Sequence, residues 1–275
     1  MRIALTGSSG MLGHDIQKIF DDVELTALKR KDLDITSLDQ SVACIKEISP
    51  DFLIHSAAYA DVDGCERNPE KAYLVNGTGT RNIAIACEEI HCPILYISSD
   101  YVFDGASTEP YNEWDMTGPG TKYGRSKLLG EQYVQTLTNR FYIVRTSWLY
   151  GKNGNNFVDT ICRLLSEKDE IEVVDDQVGS PTYTYDLALK LRELIGKGYG
   201  VYHITNSSHC SWFEFAREIA RLKSARTNIL PTTTERYNRP ARRPAYSVLN
   251  NTLLRIEGIE ELRHWKDALA DYLSE

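Results

Sequence analysis

Arg2-Ile3-Ala4-Leu5-Thr6-Gly7-Ser8-Ser9-Gly10-Met11-Leu12-Gly13 is the stretch whose reading decides the fold. Residues 2–6 form a short apolar run of strand length. Glycines then fall at 7, 10 and 13, after which Ile16, Ile19 and Phe20 recur at helical spacing. Glycines let a chain turn tightly from strand into helix and approach a pyrophosphate, whose charge is stabilised by the unpaired N–H groups of the helix start. The pattern is GxxGxxG, which glycine-rich turns also match by accident. Its place at the first strand–helix junction is what favours dinucleotide binding at Gly7, Gly10 and Gly13.

Working outward, a strand at 24–28 ends in Lys29 and Arg30. An acidic residue there would hold the ribose 2′-hydroxyl of NAD, whereas basic side chains suit a 2′-phosphate. NADPH is therefore favoured, with NADH left open by Asp32 and Asp34; the plain alternative is a solvated charge run. A helix follows at 36–48, with Val42, Ile45 and Ile48 on its apolar face and Pro50 at its exit. Strand 52–55 then ends in the small residues of Ser56-Ala57-Ala58-Tyr59, where a flat cofactor needs room. A long helix at 71–90 carries Asn76, whose amide can bond backbone near a site. Strand 94–97 stops in Ser98-Ser99-Asp100, placing the Ser99 hydroxyl at the sheet edge, where it can orient a carbonyl.

After a Pro- and Gly-containing loop at 104–120 comes a helix bearing Tyr123-Gly124-Arg125-Ser126-Lys127. Four-residue spacing puts the phenol and the ammonium on one face. A nearby cation favours phenolate and lowers the phenol's pKa, which makes an acid catalyst; chance spacing on a solvated helix is the plain alternative. Four strand–helix alternations imply an α/β fold, a Rossmann-like doubly wound parallel sheet with right-handed crossovers.

Beyond strand 142–145 the segment Thr146-Ser147-Trp148-Leu149-Tyr150-Gly151 gives way to Asn153-Gly154-Asn155-Asn156, and the rhythm loosens. The expected division is a dinucleotide-binding domain at 1–150, to which about 184–200 is a candidate to return, and a smaller C-terminal substrate-binding lobe at 151–275. Beyond residue 151 the sequence predicts strands at 171–174 and 201–204 and helices at 185–195 and 211–223. Its terminal helix should carry Leu262, Trp265, Leu269 and Tyr272 on one core stripe, while Thr232-Thr233-Thr234 reads as a loop.

Composition sets the outer limits. The 275 residues are 42% hydrophobic and 25% charged, as in ordinary globular chains, and no apolar run has membrane-spanning length. A formal charge of -8 argues against a nucleic-acid surface despite the cluster Arg239, Arg242 and Arg243. The six cysteines are scattered without zinc-ligand spacing and read as reduced; with no visible export signal, the expected location is cytoplasmic.

Taken together, these residues resemble an extended short-chain dehydrogenase/reductase, and more narrowly the dTDP-4-dehydrorhamnose reductase family, over nearly the whole chain. The resemblance rests on Thr6 through Gly13; on Ala57-Ala58-Tyr59 with Val62-Asp63 and Glu66; on Ser98-Ser99-Asp100-Tyr101-Val102-Phe103-Asp104-Gly105; and on Tyr123 through Lys127. It continues through Arg145 to Gly151, Asn156-Phe157, Asp176-Gln177 with Gly179 and Pro181-Thr182, and Arg243-Pro244 with Ser247 and Leu249. It implies NADPH-dependent reduction of the C4 ketone of dTDP-4-dehydro-β-L-rhamnose to dTDP-β-L-rhamnose. Tyr123 would be the proton donor, Lys127 its partner and ribose ligand, and Ser99 the carbonyl-orienting hydroxyl.

The same resemblance implies pyrophosphate contacts at Gly10, Met11 and Leu12, and adenine and ribose contacts at Asp34, Ile35, Ala57, Ala58 and Tyr59. Asp100, Val102, Trp148 and Arg243 would face the dTDP-4-keto-6-deoxy-L-sugar, Trp148 packing on the sugar and Arg243 meeting a phosphate. The sequence departs from the family pattern at Ser99, usually threonine, and at Tyr246, usually asparagine, which leaves the exact sugar open. A Mg²⁺ requirement and a homodimer are undecided by the residues. A reductase or epimerase for another nucleotide-sugar is the nearest alternative, and a catalytically silent binding subunit of the same fold is the more distant one.

Overall fold

A computed structural model describes residues 1–237 and 239–274. Strands β1 (Arg2–Thr6), β2 (Glu24–Leu28), β3 (Phe52–His55), β4 (Ile94–Ser99) and β5 (Phe141–Thr146) build a parallel sheet with a sixth member, β10 (Gly200–His203), in the order β2-β1-β3-β4-β5-β10. Between the first five run α1 (Met11–Ile19), α2 (Leu38–Ile48), α3 (Val62–Arg67), α4 (Pro69–Ala72), a π-helical segment (Tyr73–Gly79), α5 (Thr80–Glu89) and α6 (Lys122–Leu137). The strand order reverses between β1 and β3, and at such a switch the loops leaving the strands diverge and open a crevice for ligand.

Period-two alternation sends successive strand side chains to opposite faces. Ile3 and Leu5 join Ile16, Leu95 and Tyr142 on one face of the sheet, while Ala4 joins Leu53, Ile83, Tyr96 and Ile143 on the other. The first face is completed from far downstream, because α8 (Thr184–Leu194) packs on α1 and contributes Leu187, Ala188, Leu191 and Leu194.

The other elements are β6 (Leu149–Tyr150), α7 (Phe157–Glu167), β7 (Glu170–Val174), β8 (Val178–Gly179), β9 (Thr182–Tyr183), β11 (Asn206–Ser207), β12 (Cys210–Ser211), α9 (Trp212–Leu222), β13 (Asn228–Thr232), α10 (Thr234–Tyr237), α11 (Thr252–Ile256), β14 (Leu262–His264) and α12 (Trp265–Ser274). A separate core forms here from Tyr150, Val158, Phe215, Ile219, Trp265, Leu269 and Tyr272.

Three sequence expectations are corrected. The helix expected at 71–90 is broken by the π-helical segment, where Gly77 lies so close to α6 that an added Cβ would stand 2.7 Å from Leu129. Leu262 lies in β14, paired with β11, and not on the terminal helix; its helical phase with Trp265 is coincidental. Thr232 ends β13 and Thr234 begins α10, so the threonine run is not simply a loop. Among the described residues no helix is long and apolar enough to cross a membrane, and all six cysteines are unpaired.

Candidate active site

Helix α6 delivers the catalytic candidates because its N-terminus is fastened twice. Thr121 caps it, accepting from the Gly124 N–H at 3.0 Å, and Glu66 of α3 accepts from the Lys122 N–H at 2.7 Å. Gly124 lets the helix lie against the 3-10 turn after β4; a Cβ there would stand 2.0 Å from the Tyr101 carbonyl oxygen. The closeness puts the Tyr123 ring edge-on to Tyr101, with centroids 5.5 Å apart. Ser99, Asp100, Tyr123, Lys127 and Trp148 thus line one cavity of about 470 Å³, together with Met11, Leu12 and Gly13.

Burial governs the protonation of this group. The hydroxyl end of Tyr123 is enclosed, so its pKa is raised, with a Ser99 hydrogen bond pulling the other way and the Asp100 charge adding to the rise. The expected acidification by Lys127 is therefore not what dominates here. Lys127 itself is brought down to about 7 by burial, opposed by Glu131 one turn further along α6. Its Nζ donates to the Ile97 carbonyl at 2.7 Å and lies 4.2 Å over the Tyr96 ring. Glu131 is held by Ser98 Oγ at 2.5 Å and by Arg145 Nη2 at 2.7 Å. Asp100 is pushed up to about 6 by burial against hydrogen bonds from Ser247 and Ser99. The Ser99 hydroxyl donates to Asp100 Oδ1 at 2.9 Å.

A second cavity, of about 300 Å³, adjoins the first and shares Gly7, Gly10, Ser56 and Ala58 with it. Gly7 has φ 76°, and a Cβ on it would lie 2.5 Å from the Ala57 nitrogen, so only glycine allows the turn after β1 to meet the loop after β3. Lys29, Arg30, Asp34, Ile35, Ala57 and Tyr59 line this cavity together. Asp34 is held below the usual carboxylate range by its hydrogen bonds from the Thr36 hydroxyl and N–H. A pair of cationic side chains at one end, and glycine-lined backbone leading into the catalytic cavity at the other, fit a phosphorylated dinucleotide.

Several site expectations shift. Asn76 is fully buried and lines neither cavity; it grips the Tyr59 N–H at 2.7 Å and reaches Ser126 of α6 at 2.9 Å, acting on the site through both. Val102 is also fully buried, in a small apolar cluster with Phe103, Tyr111 and Leu249, because the 3-10 turn aims it inward. Arg243 is bidentate on Asp63 at 3.0 Å and 3.0 Å, and lines a third cavity of about 290 Å³ with Tyr101, Gln177, Trp212 and Arg239. The single Asp63 carboxylate is thus shared by two of the cluster's three arginines, since Arg239 also reaches it at 3.4 Å. Tyr246 lines none of these three cavities; it sits beside Gly105 and Val178.

Two contributors escaped the sequence reading. Lys71, 4.2 Å over the Tyr59 ring, lines the second cavity, and Trp212 lines both the first and the third. Neither carries a local motif. No group of three or more His, Cys, Asp or Glu among the described residues is placed to hold a metal ion.

The family model described as the RmlD substrate binding domain matches residues 1–275. A spore coat polysaccharide biosynthesis protein of Bacillus subtilis is 42% identical, over 100% of this chain and 97% of its own. The dTDP-4-dehydrorhamnose reductase of Streptomyces griseus is 41% identical over 98% of this chain and 92% of its own. Among solved structures, dTDP-4-dehydrorhamnose reductase from Bacillus anthracis in complex with NADP superposes with a TM-score of 0.97 at 42% identity, covering 99% of this chain and 98% of that one.

Proposed function

The chain belongs to the RmlD substrate binding domain family, and from that premise we propose that it reduces the C4 ketone of dTDP-4-dehydro-β-L-rhamnose to the alcohol of dTDP-β-L-rhamnose. The observation that carries the reading is the meeting of Ser99, Tyr123, Lys127 and Trp148 in one cavity continuous with a glycine-lined nucleotide cavity. Gly7, Gly10, Lys29 and Arg30 would hold NADPH, the two basic side chains favouring it over NADH, and that cofactor when bound would supply the hydride for C4. The side chains do the rest.

Ser99 turns its hydroxyl from Asp100 to the carbonyl oxygen and holds the negative charge that develops there. Tyr123, kept protonated by its enclosed hydroxyl, gives its proton to the alkoxide. Lys127 in its cationic form stabilises the phenolate left behind, and Glu131 favours that form against the burial that brings the lysine down to about 7. Trp148 packs on the sugar, and the third cavity, with Arg243 and Arg239 at its wall, takes the nucleotide end. Six unpaired thiols fit a cytoplasmic location.

The test is an absorbance assay with freshly generated dTDP-4-keto-L-rhamnose and either NADPH or NADH. Stoichiometric oxidation with a preference for NADPH is expected. Turnover without net oxidation would instead make the chain an epimerase, and inactivity with both cofactors would sink the proposal.

A further inference from the structure

Trp148 has φ 47°, in the left-handed region that a bulky residue occupies only when its surroundings enforce it. Its backbone is pinned on both sides. Ser147 Oγ donates to the Ser180 carbonyl at 2.7 Å, the Trp148 carbonyl accepts from Thr182 N–H at 3.2 Å, and β6 pairs with β9 immediately after. The indole lies in a slot contributed by two other segments. Gly179 of β8 gives way along its edge, where a Cβ would stand 2.5–2.7 Å from the ring atoms. Trp212 of α9 covers a face, the two ring systems lying 3.5 Å apart between centroids at 5°.

Trp212 is itself held rigidly. It is the first residue of α9, behind a capping box made by Ser211 and Glu214, with Ser211 Oγ donating to Asp175 at 2.5 Å and Phe157 packed against the indole at 4.4 Å. It also lines both the catalytic cavity and the third cavity.

We propose that Trp212 is a positioning residue for the ketone reduction: by stacking on Trp148 it holds that indole as the fixed wall of the catalytic cavity, and so sets where the sugar ring rests relative to Ser99 and Tyr123. This rests on the reading of the cavity as the site of a nucleotide-linked ketose. Orientation errors near 1 Å cost about 10²-fold in rate, so loosening the wall should act on turnover and leave alone the adjoining glycine-lined cavity, which neither Trp148 nor Trp212 lines.

The experiment compares Trp212→Leu, Trp212→Phe, Gly179→Ala, Trp148→Ala and the double variant Trp148→Ala/Trp212→Leu, with the ketosugar as substrate and NADPH affinity measured separately. Trp212→Leu should lower kcat by roughly 10–10²-fold with an unchanged NADPH dissociation constant. Trp212→Phe, which keeps an aromatic face, should recover most of it. Gly179→Ala should reproduce the kcat loss while Trp212 stays in place. The double variant should be no slower than Trp148→Ala if the part Trp212 plays in turnover runs through Trp148 and not through its own lining of the two cavities.

Additive losses in the double variant, or full activity in Trp212→Leu, would overturn the proposal. Wild-type protein that reduces no nucleotide-linked ketose would overturn the functional reading first; a working wild type beside an equally active Trp212→Leu variant condemns the positioning role alone.

Discussion

Enclosure raises the pKa of two neighbouring acids, Tyr123 and Asp100. A general acid must hold its proton until the alkoxide forms, and burial raises the Tyr123 pKa. Tyr123→Phe should therefore lower kcat by about 10²–10⁴-fold while NADPH titrations followed by fluorescence stay unchanged. Asp100 carries the cost of the same enclosure. Its pKa rises from 3.8 to about 6, so the folded protein binds this proton more tightly than the unfolded chain does. Its contribution to stability is full below pH 3.8 and is lost as pH rises through about 6, on the order of 2–3 kcal/mol in all. Asp100→Asn keeps an acceptor for Ser99 and removes the charge. It should melt higher than wild type at pH 8, with the advantage vanishing near pH 4 and turnover reduced; equal melting temperatures at pH 8 would refute the assignment. The placement of Tyr123, Lys127 and Ser99 was legible in the sequence because each relation is local: a four-residue helical spacing and a polar stop at the end of an apolar strand. Trp212 and Lys71 were not, since what they do depends on partners 64 and 12 residues away.

At the scale of elements, the approach of α6 to the turn after β4 decides whether phenol and hydroxyl meet. Gly124 sits at that contact, with an added Cβ only 2.0 Å from a backbone oxygen that cannot swing aside. Gly124→Ala should push the first turn of α6 outward, lowering stability by about 1–3 kcal/mol in a denaturant titration and cutting kcat. Native stability and turnover in that variant would show that the helix has slack. The strands and helices of the central sheet were readable from period-two and period-3.6 patterns, and the exit of α2 from Pro50. The π-helical segment was not, because one extra residue per turn leaves the apolar pattern of 71–90 nearly unchanged while it rotates Asn76 onto Tyr59 and Ser126.

Across the whole molecule the two halves of the sequence are not independent bodies. Helix α8 covers α1, Thr184 Oγ1 donates to Asp15 at 2.5 Å, Arg192 reaches Asp22 at 2.5 Å, and β10 completes the sheet beside β5. A fragment of residues 1–150 would expose the face that Leu187, Leu191 and Leu194 bury, and should give no cooperative melt by circular dichroism; the full chain should unfold in one transition. The sequence by itself determined the class of fold, the glycine turn and the functional groups that Ser99, Tyr123 and Lys127 carry, because backbone freedom, periodicity and functional-group type are properties of short stretches. Only the tertiary structure decided that β10 joins the sheet, that Arg243 is spent on Asp63, that Tyr246 stands away from the three cavities and that Trp148 is walled by Trp212. Those contacts join residues far apart in the chain, and close packing, which no local pattern encodes, selects among the partners each could have had.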